Sequence, residues 1–159
     1  MSQQDERCLC FHLGTESFAI PLLSVKEVMA MPAVAPIPQA PPSFLGMMNL
    51  RGQVIGVIDL RQKLGIQPKK NQEEKAVIIL DFSDFRIGAV VDLIDSVQNL
   101  ENEKRQDKPK MQGPVSHEYI TSVYLTDEKF ILILDIQKIL GVGDQSFAKK
   151  LQQPTQKTA

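Results

Sequence analysis

A ten-residue pattern occurs twice in this chain at a constant offset, and it limits the folds available to it. Residues 57–66 read Val-Ile-Asp-Leu-Arg-Gln-Lys-Leu-Gly-Ile, and residues 133–142 read Ile-Leu-Asp-Ile-Gln-Lys-Ile-Leu-Gly-Val. Asp59 and Asp135 are 76 residues apart, as are Gly65 and Gly141. In each copy an apolar run ends at an Asp, a short helical pattern follows, and a Gly closes it. This predicts a strand, a helix N-cap and a left-handed stop. Two such copies imply two small units of one plan rather than a single enzyme fold. The copies diverge just ahead of the pattern, at the predicted hairpin turn. One has Asn49-Leu50-Arg51-Gly52 and the other Leu125-Thr126-Asp127-Glu128. The second is ordinary turn chemistry, whereas the first holds a Leu and an Arg that a turn does not need. Function is therefore sought there first.

At 159 residues the chain is one domain, or two halves sharing a core. A chain of this length buries roughly 68–70% of its unfolded surface, so no metal or disulfide is needed to hold it. The net charge is −1, from 18 basic and 19 acidic residues, which leaves no electrostatic footprint for nucleic acid or an anionic membrane surface. Cys8 and Cys10 lie at i, i+2 in an apolar run, so in a strand both face one way, as two buried thiols. There is no metal-ligand spacing and no cofactor motif. The polar N-terminus carries no signal-peptide pattern, and no apolar run reaches the length of a membrane span. A cytoplasmic protein with no direct membrane insertion is expected.

Residues 1–7 are expected to be flexible, and 8–13 and 18–21 to form a hairpin through the turn at 14–17. Ser24-Val25-Lys26-Glu27 has the capping-box pattern and predicts a short helix. Five prolines within 32–42 predict a stiff, extended connector. Residues 44–48 and 53–58 form a hairpin, the second strand buried on both faces. Residues 67–75 are polar and are expected to separate one subdomain, about 8–70, from another, about 75–142. The second half repeats the plan, with strands at 76–81 and 85–91, a helical turn capped by Asp92, a charged loop over 98–118, and a hairpin at 120–134. A polar tail over 143–159 could hold one amphipathic helix carrying Phe147 and Leu151. The fold class expected is all-β with a few short helices, as two barrels of about five strands each.

No catalytic constellation stands out. His12 alternates with apolar residues, His117 lies in a polar stretch, and there is no nucleophile elbow, phosphate loop or dinucleotide fingerprint. Asp59 and Asp135 are better read as helix caps than as acid–base groups.

The segment Phe44-Leu45-Gly46-Met47-Met48-Asn49-Leu50-Arg51-Gly52-Gln53-Val54, followed by Val57-Ile58-Asp59-Leu60-Arg61, resembles the CheW family of bacterial chemotaxis coupling proteins. The resemblance extends over about 8–142, through Phe18-Ala19-Ile20-Pro21, Val25-Lys26-Glu27-Val28, Ile87-Gly88-Ala89-Val90-Val91-Asp92 and Ile131-Leu132-Ile133-Leu134-Asp135. It implies two five-stranded, SH3-like β-barrel subdomains around a shared hydrophobic core. It also implies a non-catalytic adaptor, without cofactor or metal, that links the cytoplasmic tips of methyl-accepting chemoreceptors to the regulatory domain of the histidine kinase CheA. Other CheW copies could join in rings, at the inner face of the membrane through receptor arrays. Carried over by position, the receptor-binding set is Val25, Glu27, Val28, Val34, Ile37, Gly46, Asn49, Leu50, Arg51, Gly52, Val77 and Val90. The kinase-binding set is Gly88, Val91, Asp92, Lys110 and Met111. Gly56 stands where many members of that family have Pro, and Met47-Met48 where smaller or β-branched residues are common.

An amphipathic receptor hairpin would lay apolar side chains into a groove of Val, Ile and Met, and Arg51 could offer its rigid donor fork to a carboxylate or carbonyl. Arg51 could equally brace its own turn through an internal ion pair, and the two roles can coexist. Val25 and Val28 could be plain core, and Glu27 the capping box alone. Two other readings stand beside the single-domain adaptor. One is the CheW-like part of a CheV-type adaptor, although the tail after 142 reads as an end rather than a junction to a receiver domain. The other is a small β-barrel ligand-binding module unrelated to chemotaxis, opposed by the absence of Trp and of a basic stripe.

Overall fold

The computed structural model describes residues 5–67, 75–106, 117–127 and 129–152. Eleven strands and two helices order the described residues. The N-terminal hairpin is β1 (Glu6–Leu13) and β2 (Glu16–Pro21). After a single 3-10 turn at Leu22–Ser24 come β3 (Val25–Ala30), β4 (Phe44–Leu50), β5 (Gln53–Asp59) and the short helix α1 (Leu60–Leu64). Then follow β6 (Ala76–Asp81), β7 (Arg86–Val91), β8 (Leu93–Leu100) and the two-residue β9 (Arg105–Gln106). The chain closes with β10 (Ile120–Thr126), β11 (Lys129–Leu134) and α2 (Ile136–Gln152), which kinks at Gly141, φ 63°.

The repeated pattern folds as expected. The Asp59 carboxylate accepts from the Arg61 N–H at 3.0 Å, and that of Asp135 from the Lys138 N–H at 3.2 Å. Gly65 ends α1 in the left-handed conformation at φ 73°, so each Asp opens a helix and each Gly stops or bends one.

The protein is mostly β, in two subdomains, with sheets of six and five strands rather than five each. Their orders are β8-β1-β2-β11-β10-β9 and β3-β6-β7-β5-β4, and neither ladder closes on itself among the described residues. The sixth strand is only β9, whose Gln106 pairs with Val123. The other sheet has the same feature as an isolated bridge between Ala35 and Met47, and Met47 lies 76 residues before Val123. Each sheet is thus five strands plus a short bridging segment.

The sheets do not follow the two halves of the chain. One takes residues 6–21 and 93–134, and the other takes 25–91. The expected boundary at 70–75 falls between β5 and β6, inside the second sheet. Matching the two orders equates β8, β1, β2, β11 and β10 with β3, β6, β7, β5 and β4. The N-terminal hairpin therefore completes the sheet whose remaining strands come last. Parallel pairing makes the join in both cases, β2 with β11 and β5 with β7.

Three apolar clusters follow from strand alternation. On β1, Leu9, Phe11 and Leu13 face a core shared by both sheets, with Phe18, Ile58, Ile78, Leu80, Ile87 and Leu134 among its members. Cys8 and Cys10 face the opposite way, into the interior of the first sheet with Ala19, Tyr124, Ile131 and Ile133. Met48, Leu50, Ile55, Val57, Val77, Ile79 and Val90 fill the interior of the second. Ile55 and Val57 correspond to Ile131 and Ile133 at the offset of 76.

Two predicted helices are strands instead. Val25–Ala30 pairs with β6, because the single turn at Leu22–Ser24 ends where β-branched Val25 begins an edge strand. Leu93–Leu100 pairs with β1 across seven positions, alternating exposed with half-buried residues, so Asp92 caps no helix. The loop placed at 98–118 gives up its first residues to β8, a 3-10 turn at Asn102–Lys104 and β9.

Candidate functional site

Two residues of the predicted functional turn sit where the tightest hairpin of the second sheet reverses. Leu50 pairs with Gln53, so only Arg51 and Gly52 lie between the strands. Both have positive φ, 51° and 88°, as a two-residue turn that follows the strand twist requires. The Asn49 side chain accepts from the Gly52 N–H at 2.7 Å and holds the reversal. Asp127 takes the same conformation, φ 47°, at the equivalent position of the other hairpin.

This geometry aims Arg51 at Glu27. Nη1 donates to one carboxylate oxygen at 2.7 Å and Nη2 to the other at 3.2 Å, across 24 residues of chain. The Arg51 side chain stays 72% exposed, so the guanidinium is anchored without being buried. The hydrogen bond from Arg51 holds the Glu27 carboxyl below the usual carboxylate range, and the bond to Glu27 raises Arg51 in turn. The internal ion pair considered from the sequence is present, and the capping box is not, since no helix starts at Ser24.

A β-bulge sorts the residues of β3. Val25 stands opposite Leu80 and Val28 opposite Ile78, both members of the shared core; Glu27 stands opposite Ile79 of the second sheet's interior. Val25 and Val28 thus share one face of β3, and Glu27 lies on the other with Met29. Val28 is 43% exposed, while Val25 packs against the shared core. At the rim of the second sheet, Glu27, Arg51, Asn49 and Gly52 come together near Val34, which packs on the interior cluster with Met29 and Met31. A shallow, mainly apolar depression adjoins them, lined by Val34, Ala35, Met47, Met48, Asn49 and Val54. Ile37 is half-buried in the proline-rich connector.

Other expected contact residues are interior. Leu50, Val77 and Val90 are buried in the second sheet's cluster, where alternation turns them away from solvent. Gly46 is buried because the connector crosses it. A Cβ there would collide with the Ala35 carbonyl, and Ala35 exchanges backbone hydrogen bonds of 2.8 and 2.7 Å with Met47. Gly88 is buried beneath Val77, where a Cβ would come within 2.9 Å of a methyl group. Val91 belongs to the shared core, and Asp92 is 2% exposed. These residues lie beneath the surface and set its shape. Lys110 and Met111 lie outside the described residues.

Sequence reasoning missed two polar links that fix the surroundings. Arg61 and Asp92 form a buried ion pair, Nε to Oδ1 at 3.1 Å. The Gln152 side chain accepts from the Arg86 N–H at 3.0 Å and donates to its carbonyl, docking the end of α2 on β7. Neither pair has a local spacing by which a linear reading could find it. Among the described residues there is no cluster of His, Cys, Asp and Glu able to hold a metal, and no helix long and apolar enough to cross a membrane.

A sequence profile described as CheW-like domain matches residues 7–143. The chain is 33% identical over 133 residues to the chemotaxis protein CheW of Klebsiella aerogenes, covering 84% of this chain and 80% of that one. It is 29% identical over 147 residues to the chemotaxis protein CheW of Treponema pallidum, covering 89% and 86%. Among solved structures, the scaffolding protein TtCheW of Thermoanaerobacter tengcongensis superposes with a TM-score of 0.78 at 24% identity, over 88% of this chain and 95% of that one.

Proposed function

Since the chain belongs to the family of CheW-like domains, we propose that it is a chemotaxis adaptor joining methyl-accepting receptor tips to the regulatory domain of the kinase CheA, in the cytoplasm. One observation carries this reading. The rim of the second sheet presents an exposed guanidinium, held in place by Glu27, beside a shallow apolar depression. A helical hairpin needs such a surface: apolar side chains enter the depression, and its polar groups meet an oriented donor fork. The receptor-facing set reduces to Val25, Glu27, Val28, Val34, Ile37, Asn49, Arg51 and Gly52, with Gly46, Leu50, Val77 and Val90 as the support beneath. Binding to each partner is modest, and strength comes from many weak contacts in an array.

The test is a titration of the wild type and Arg51→Ala against a receptor cytoplasmic fragment and, separately, a CheA regulatory domain. Receptor binding is expected to weaken selectively while kinase binding holds and the melting temperature falls only by the small amount that an exposed ion pair contributes. A folded wild type that binds neither partner rejects the adaptor reading for those partners. Equal loss of both, with a lowered melting temperature, makes Arg51 a brace of the fold alone.

A further inference from the structure

The matched strand orders give the two sheets two equivalent crossovers, where the chain passes from one subdomain to the other. One is the Leu22–Ser24 turn between β2 and β3; the other is Asp92 between β7 and β8. The Asp92 crossover is pinned. Its Oδ2 accepts from the Gly14 N–H at 2.6 Å, and its N–H donates to the His12 carbonyl at 3.2 Å, both in the first sheet's N-terminal hairpin. Its Oδ1 lies 3.1 Å from Nε of Arg61, on the helix that follows the second sheet's β5. The Arg61 and Asp92 side chains are only 6% and 1% exposed, and Gly14 brings Ile66 against the same junction.

Among the described residues the other crossover has no such pin. Leu23 is fully exposed, and the residue matching Arg61 at the offset of 76 is the exposed Gln137. The turn matching Gly14 is that of Phe82 at the end of β6. It faces a crevice, lined also by Pro21, Ser24, Leu134 and Gln137, rather than a filled junction.

We propose that the Arg61–Asp92 pair is a positioning device that fixes the angle between the two subdomains, and that any opening occurs on the Leu22–Ser24 side. This goes beyond the adaptor reading and stands without it. A buried ion pair is weak as a source of net stability, because desolvation offsets its attraction, and it acts better as a device that fixes register. Among the described residues neither Nη1 of Arg61 nor Oδ1 of Asp92 has a hydrogen-bond partner, so the two meet as charges at 3.1 Å with part of their polar capacity unmet, which marks the pair as retained for geometry rather than for energy.

The test compares the wild type with the double variant Arg61→Met, Asp92→Asn. That variant leaves no unpaired buried charge and keeps an amide oxygen for the Gly14 N–H. Spin labels are placed on Val54→Cys and Phe130→Cys, exposed positions at the same offset on the two hairpins. Inter-label distances are read by pulsed electron resonance on the full chain. The wild type is expected to give one narrow distribution, and the double variant one at least twice as broad with unchanged circular dichroism. A double variant as narrow as the wild type overturns the proposal, as does a wild type that is already broad. A double variant that no longer folds overturns it too, because the pair is then holding the fold rather than the angle. Arg61→Lys, which keeps the charge, is expected to restore most of the narrow distribution.

Discussion

Arg51, in the turn that follows β4, and Glu27, on β3, sit at opposite ends of one strand order, and yet a two-point contact joins them at 2.7 and 3.2 Å. The five-stranded sheet therefore curls until its edges nearly meet. Its backbone ladder stays open there, and a side-chain pair spans the gap. The donor fork is oriented by the same bond that closes the rim.

The coupling between these two residues is expected to depend on acid and salt. The Glu27 carboxyl is held below its ordinary range, so the contribution is present above that range and fades as pH falls through the lowered value. A double-mutant cycle with Glu27→Gln and Arg51→Gln, read by urea unfolding, should show coupling near pH 7 that shrinks at salt well above about 0.15 M. Coupling that persists in strong acid would contradict the ion-pair account.

Gly46→Val should destabilise the protein by about 1–3 kcal/mol, since its side chain has no space beneath the connector. A Cβ at this position meets the Ala35 carbonyl, and Val34 Cγ1 lies 2.8 Å away. The bridge from Ala35 to Met47 would open, and with it the depression beside Arg51. Urea unfolding together with hydrogen exchange at the Met47 amide reads both effects.

Cys8 and Cys10 should resist thiol reagents in the native protein. Burial, with help from Glu6, pushes the Cys8 thiol up to about 12, and burial with Asp95 takes Cys10 to about 11. A disulfide reagent near pH 8 is expected to find no reactive thiol in the fold and both in denaturant. A raised thiol value also means stability that is full below the ordinary value of 9.0 and falls as pH climbs through 9 and beyond. Fast native labelling would refute the packing of β1.

Phe147→Ala should cost about 2–4 kcal/mol and loosen the second half of α2. Phe147 meets Phe44 edge-on at 4.8 Å, and Leu151 approaches the space above Gly56. Gly56→Val should have a related effect from below, because a Cβ there would sit 2.7 Å from the Phe44 ring. Thermal unfolding and proteolysis after residue 141 test both.

Asp59→Ala and Asp135→Ala should behave alike, each losing about 1 kcal/mol, since both remove an N-cap acceptor at the same place in the repeat. Urea midpoints of the two variants provide the check.

Local chemistry made much of this legible in the sequence. The Asp caps, the Gly stops, the hairpins at 44–58 and 120–134 and the turn at Arg51 are set by residues a few positions apart. Where long-range pairing decided, the reading failed. Ser24-Val25-Lys26-Glu27 matches a helix start, yet β6 offers Val25–Ala30 an edge to pair with. Leu93, Ile94 and Val97 fit a helical turn until β1 is placed beside them. The division into subdomains failed for a related reason: β1 and β2 precede their matching strands β6 and β7 by 69 residues, whereas β10 and β11 follow theirs, β4 and β5, by 76, an order that no linear repeat displays. Val77, Leu50 and Val90 were placed at the surface by position in a family, and strand alternation turns each of them inward.

The interleaved sheets also bear on synthesis. All five strands of the second sheet lie within residues 25–91 and can pair as soon as that stretch has emerged. The first sheet cannot, because β1 and β2 occupy its middle, between β8 and β11. The first hairpin made on the ribosome must wait for the last strand before its inner edge is covered. Until then the N-terminal hairpin keeps at least one unpaired strand edge, so a pause at any point before β11 emerges leaves this chain open to edge-to-edge aggregation and to chaperone capture.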